Sequence, residues 1–237
     1  LVSGTLDNFI FQGEKHITRG PELCVWRAPT DNDKGGGFVS FAHRWQRFNL
    51  HNLQNLDVVL RFVHDIDRDF ELSVVQTLGS PPNRAVFKVF IRYIVNQAGH
   101  LTVDCVIEPV RKVPPLPRVG FLLECSPALE IVNWLGRGPH ENYPDRMSSA
   151  FFGHFSSTVD EMHVPYIVPS ENGARQQVSW VSLGSKTTGA ATLFCSKDSL
   201  FSFSASHYSD AELSRSNHQH QLVRNESVYL HLDVMHM

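Results

Sequence analysis

The sequence lacks most features that would announce a function. It has no run of about 20 apolar residues, the length a membrane-spanning helix needs, and no recognisable signal segment, so no membrane partner and a cytoplasmic location are expected. Cysteine is scarce. Cys24, Cys105, Cys125 and Cys195 are far apart and without Cys-x-x-Cys spacing, which argues against a disulfide scaffold. Three of them sit in apolar runs, where a reduced cysteine acts as a small buried hydrophobe. Charge of one sign is also missing. The net charge is −3 with both signs interspersed, and without a basic stripe nucleic acid is not an expected partner. No glycine-rich phosphate loop is present, because Gly35-Gly36-Gly37 lacks the downstream Gly and Lys. No Gly-x-Ser-x-Gly elbow occurs, and no series of alternating strands and helices could build a TIM barrel.

What is present is a sheet-forming chain. Its 237 residues are 42% apolar and include 16 Phe, enough for a sizeable core. One large domain over 1–237 is expected. The dominant period is two, as in 101–107, 201–206 and 228–234, with β-branched and aromatic runs at 57–63, 69–78, 85–96 and 118–125. Successive side chains of a strand point to opposite faces, so each run suits a half-buried strand. Turn signals separate the runs at 79–83, 97–99, 114–115 and 184–185. Two short helices interrupt the pattern. Phe38, Phe41, Ala42, Trp45 and Phe48 would share one helical face. A second helix is predicted from Ser209 to about Leu222, with Ser209 and Glu212 as a capping box and Tyr208 and Leu213 as a staple. The expected fold class is all-β, a large antiparallel sandwich.

Polar residues crowd into three stretches: Arg27 to Gly37, Gly136 to Arg146 and Tyr166 to Gly173. Carboxylates, Asn and Arg suit sugar hydroxyls, and Tyr suits the ring faces. The plainer reading is that Asp and Asn cap turns while Arg–carboxylate pairs lock long loops. Glu141 with Glu171, or Asp31 with Asp33, are the carboxylate pairs that could run glycoside hydrolysis. His207 with Glu171 would suit a mutarotase by residue type. The 13 histidines show no metal-ligand spacing. His218 and His220 would not share a helical face, so no metal site is expected.

Arg27 to Asp33 (RAPTDND), Gly136 to Arg146 (GRGPHENYPDR) and Pro169 to Gly173 (PSENG) resemble, in order and spacing, motifs of the last domain of bacterial-type β-galactosidases of glycoside hydrolase family 2. His207-Tyr208-Ser209 with Glu212-Leu213 and His218, and Leu232-Asp233 with His236-Met237, extend the resemblance to nearly the whole chain. It implies a supersandwich similar to galactose mutarotases, in some members a separate small subunit. It further implies that the catalytic glutamates lie on a TIM-barrel portion or large subunit, so no catalytic residue is expected here. No cofactor is expected in this chain either, the family's Mg and Na being held by other domains. The implied role is accessory: walling the active site, contacting galactosides and aiding assembly into an oligomer. The residues expected to face substrate or partner are Arg27, Asp31, Asn32, Asp33, Glu141, Asn142, Tyr143, Asp145, Arg146, Glu171 and Asn172. Gly35 matches a lid hinge and opens the triplet Gly35 to Gly37, although the following loop is shorter than in the family. The start at Leu1 and the end at Met237, directly after a strand-like run, read as cuts, with the family's sugar-stacking Trp lying beyond. A stand-alone carbohydrate-binding module and a mutarotase-like epimerase are the alternatives.

Overall fold

The computed structural model describes residues 4–64, 69–80 and 84–237. Fourteen strands are formed among them. The first six are β1 (Phe9–Phe11), β2 (Glu14–Cys24), β3 (Gln54–His64), β4 (Phe70–Ser80), β5 (Arg84–Val95) and β6 (Leu101–Pro109). Next come β7 (Arg118–Cys125), β8 (Ile131–Gly138), β9 (Phe151–Thr158) and β10 (Arg175–Val178). The last four are β11 (Trp180–Gly184), β12 (Ala191–Cys195), β13 (Phe201–Ser206) and β14 (Val228–His236). Four short helices accompany them: α1 (Asp31–Lys34), α2 (Phe41–Phe48), α3 (Val159–Met162) and α4 (Asp210–Arg215). All strand pairs among the described residues are antiparallel, the arrangement in which half-buried, alternating strands are common. The turn signal at 79–83 falls partly on 81–83, outside the described residues. No helix among the described residues is long and apolar enough to cross a membrane.

The chain divides into two compact units. The first comprises Gly37–Pro115 with the start of the chain through Leu6. It is a four-stranded meander, β3-β4-β5-β6. Cross-strand pairs Leu72–Tyr93, Val74–Ile91 and Gln76–Val89 lie on its buried face. Helix α2 begins where the Ser40 hydroxyl accepts the His43 N–H, an N-cap that fixes the first turn. Ala42 and Trp45 are buried, and the Trp45 indole N–H donates to Pro115 O at 2.6 Å. Phe38 does not join this helical face. It precedes the cap, in the 3-10 turn Gly37–Val39, and is 86% exposed.

The second unit, Asp7–Gly36 and Leu116–Met237, is a β-sandwich. Its larger sheet runs β1-β2-β7-β14-β13-β10 and its smaller one β12-β11-β8-β9. The core lies between them, with Leu123, Phe201, Phe203, Val228 and Leu230 from one sheet and Val132, Trp134, Val181 and Leu183 from the other. Trp134 stacks edge-on to Phe203 at 5.8 Å, a geometry that aromatic quadrupoles favour. Helix α4 is shorter than the predicted 209–222. Ser209 caps it by accepting the Glu212 N–H, but Ser216 turns extended and ends it. The Glu212 carboxylate does not close a capping box; it accepts the Val223 N–H at 2.8 Å instead and ties down the segment that follows.

Candidate functional site

The three polar stretches meet in the sandwich unit. Arg27 grips Asp33 with two parallel bonds, Nε to Oδ2 at 3.0 Å and Nη2 to Oδ1 at 2.7 Å, and donates a third to Met237 O at 2.6 Å. Such a bidentate fork fixes direction as well as distance. Thr30 and Asp33 form a reciprocal capping box for α1. Asp31 and Asn32, on the same turn, are exposed. Beyond them Gly35 closes the helix in an ordinary conformation, whereas Gly36 and Gly37 adopt positive φ, +91° and +59°, which favours glycine.

The second stretch leaves β8 and folds against the third. The Asn142 side chain is wholly buried: its Oδ1 accepts the Gln176 N–H and its Nδ2 donates to His140 O, both at 3.0 Å. Glu141 accepts the Gly173 N–H at 2.8 Å, an Arg146 N–H at 2.6 Å and the Tyr166 hydroxyl in a short bond. Arg146 also covers the ring of buried Tyr143, at 4.8 Å, while Asp145 is exposed. In the third stretch Asn172 accepts the Val164 N–H at 3.0 Å, and the Glu171 N–H donates to Ala28 O at 3.0 Å, joining this stretch to the first. Glu141 therefore holds two loops together, one contact being charge-assisted. Glu141→Ala is expected to cost about 2 kcal/mol, read from the urea midpoint.

Beneath these loops lies a group of charges that the sequence motifs do not include. Arg118, at the start of β7, is 0% exposed. Its Nη2 stands 2.8 Å from Glu171 Oε1 and its Nε 3.6 Å from Asp233 Oδ2, ion pairs without hydrogen-bond alignment. His236 adjoins it at 3.4 Å and packs with its ring tilted against Tyr143. Burial pushes the Asp233 carboxyl up to about 7, only partly opposed by Arg118. Burial, and then the Arg118 charge, hold His236 well below the usual imidazole value. These side chains sit on the face of the larger sheet that points away from the core. On β14, Leu230 faces the core while His231 and Asp233 face the other way, and both are nonetheless buried. The alternation is visible in the sequence. That loops from far along the chain cover the polar side is not.

The remaining candidates separate. His207 lines a cavity of about 160 Å³ with Ser209, Glu212, Arg224 and Tyr229, well below the roughly 300 Å³ of a typical ligand pocket. Its Nε2 contacts Glu130 at 3.2 Å and Arg224 at 2.8 Å. No hydrogen bond or ion pair joins His207 to Glu171 among the described residues. The carboxylates of Glu141 and Glu171 are likewise each engaged with cations of the same chain. The four cysteines are free.

A family model described as "Beta galactosidase small chain" matches residues 1–237. A β-galactosidase from Psychromonas ingrahamii is 30% identical over 240 residues, covering 99% of this chain and 22% of that protein. β-Galactosidases from Yersinia enterocolitica and Vibrio cholerae are each 32% identical, again over 99% of this chain and 22% of their own length. The chain thus spans about a fifth of these relatives. With motifs that interlock as one loop system, and a family match that runs from end to end, the chain belongs to the β-galactosidase small-chain family.

Proposed function

We propose that this chain is the accessory small-chain portion of a cytoplasmic, retaining β-galactosidase acting on terminal β-D-galactosides. The observation that carries the proposal is that the family match fills the chain while the chain fills only 22% of the β-galactosidases it resembles. The catalytic glutamates, and any magnesium or sodium, then belong to the large portion. In this reading the interlocked loops act as a stiff wall. Arg27, Asp33, Glu141, Asn142, Tyr143, Glu171 and Asn172 hold its shape, while exposed Asp31, Asn32, Asp145 and Arg146 reach toward the partner portion or sugar. Gly35 to Gly37 supply the bend of a small lid, and the assembled enzyme is an oligomer. The four free thiols suit a reducing compartment.

The test is hydrolysis of a chromogenic β-galactoside by the purified chain, alone and mixed with a large catalytic fragment of the family. No turnover alone and clear turnover on mixing are expected. Hydrolysis by the chain alone, or failure to associate with the large fragment in sedimentation, would overturn the proposal.

A further inference from the structure

A second feature of the polar layer has no place in the accessory role. Cys24 Sγ, an Asp210 carboxylate oxygen and a His231 ring nitrogen lie within 4.8 Å of one another. Strand register explains the meeting. Cys24 on β2, Gly120 on β7 and Asp233 on β14 form one row across three strands. Because residue 120 has no side chain, groups from β2 and β14 can approach each other over β7. A Cβ there would stand 2.4 Å from Asp233 Oδ1. His231, two residues before Asp233, faces the same side. Asp210, in the first turn of α4, closes over the gap.

The donors are only partly satisfied, and His231 least of all. His231 is 5% exposed, its Nδ1 has no partner, and its Nε2 stands 3.6 Å from Asp210 Oδ2, beyond hydrogen-bond reach. The Cys24 thiol donates to Trp26 O at 3.2 Å and lies 4.0 Å from the same Asp210 oxygen, a bond to the main chain that metal binding would replace. The surroundings are also rich in carboxylates: Asp210, Asp233 and Glu171 all act on Arg118, and Arg27, itself paired with Asp33, is the further cation acting on Asp233. A buried polar group left unpaired is costly, and a cation among the three donors would answer both deficits.

We infer that Cys24, Asp210 and His231 form a binding site for a thiophilic divalent cation, zinc by donor type. Thiolate, imidazole and carboxylate are the mixed set that zinc accepts, with a fourth position left for water. Tetrahedral zinc would bring the donors to roughly 3.3–3.5 Å apart, so the two contacts to Asp210, at 3.6 and 4.0 Å, close slightly and the widest spacing, 4.8 Å at most, closes by up to about 1.3 Å. On binding, the Cys24 S–H bond breaks, a metal–sulfur bond forms and the proton leaves to solvent. Burial otherwise holds this thiol protonated, pushed up to about 12. The other three-ligand cluster, Glu130, Asp160 and His207, carries no such inference. Arg224 already contacts all three and supplies the positive charge.

The test uses the full-length protein that carries this chain, stripped with chelator, desalted and then loaded with cobalt or zinc alone. A sulfur-to-cobalt charge-transfer band is expected. Cys24→Ser should abolish it and retain one zinc equivalent fewer than the parent, whereas Cys195→Ser, at an exposed thiol, should change neither. Asp210→Asn keeps thiolate and imidazole and should weaken cobalt binding about tenfold or more; it gives a second reading should Cys24→Ser misfold. No charge-transfer band, or one that is unchanged in Cys24→Ser or in Asp210→Asn, overturns the inference.

Discussion

Replacing Arg118 by methionine should lower stability by about 3–5 kcal/mol, seen as a large drop in the urea midpoint of the sandwich unit. Methionine keeps much of the apolar stem and removes the charge. Glu171 and Asp233, 3% and 2% exposed, would then remain inside without their cation. The cost arises from that stranded charge and not from lost attraction, and the distinction can be measured. Arg118→Met combined with Glu171→Gln and Asp233→Asn removes the charge on both sides and should recover most of the loss. Were the triple variant as unstable as the single one, packing around the arginine stem would outweigh the charge. Arg118→Lys should fall between parent and Met, because one ammonium cannot reach two carboxylates in the way a planar fork can.

Gly120→Ala should be comparably damaging for a different reason. Its Cβ would stand 2.3 Å from Leu232 O and 2.6 Å from Asp233 Cα, both backbone atoms. No side chain can rotate away to make room, so β7 and β14 must separate at the centre of the larger sheet. Overpacking of that kind costs about 3 kcal/mol. Gly184→Ala is the matched control: also in a strand, with ordinary contacts no closer than 3.8 Å, it should shift stability by no more than about 0.5 kcal/mol. Equal effects at the two positions would show that strand propensity, and not the close approach, governs both.

The strands were legible because period-two alternation is a local property. Residues 57–63, 101–107 and 201–206 each fall in a strand. Helix extents were less legible. Phe38 fits the 3.6-residue spacing, yet the Ser40 cap excludes it. The segment after Arg215 reads as helix, yet Glu212 commits its carboxylate to Val223 and favours a break. Of the candidate residues, Arg27 pairs with Asp33 and Arg146 with Glu141, as loop-locking by Arg–carboxylate pairs would require, while Asn142, Glu171 and Asn172 tie the loops through main-chain groups. Arg118 was not legible. A single arginine at the head of a strand looks solvent-facing, and its surroundings come from far along the chain, Glu171 from a loop and Asp233 and His236 from β14. The same holds for Cys24, Asp210 and His231, whose separation along the chain conceals their proximity.

The position of β14 bears on how the protein is made. In the larger sheet it lies between β7 and β13, although it follows both in sequence. The meander of the first unit pairs each strand with its neighbour along the chain and can assemble early from local contacts. The larger sheet has to wait. Its β2–β7 pairing spans Gly37–Pro115, the bulk of the first unit, and its middle stays vacant until the segment Val228–His236 arrives. On the ribosome the sandwich would therefore persist as two half-sheets with facing unpaired edges, joining only when β14 enters the gap and brings His231, Asp233 and His236 to Arg118 in one step.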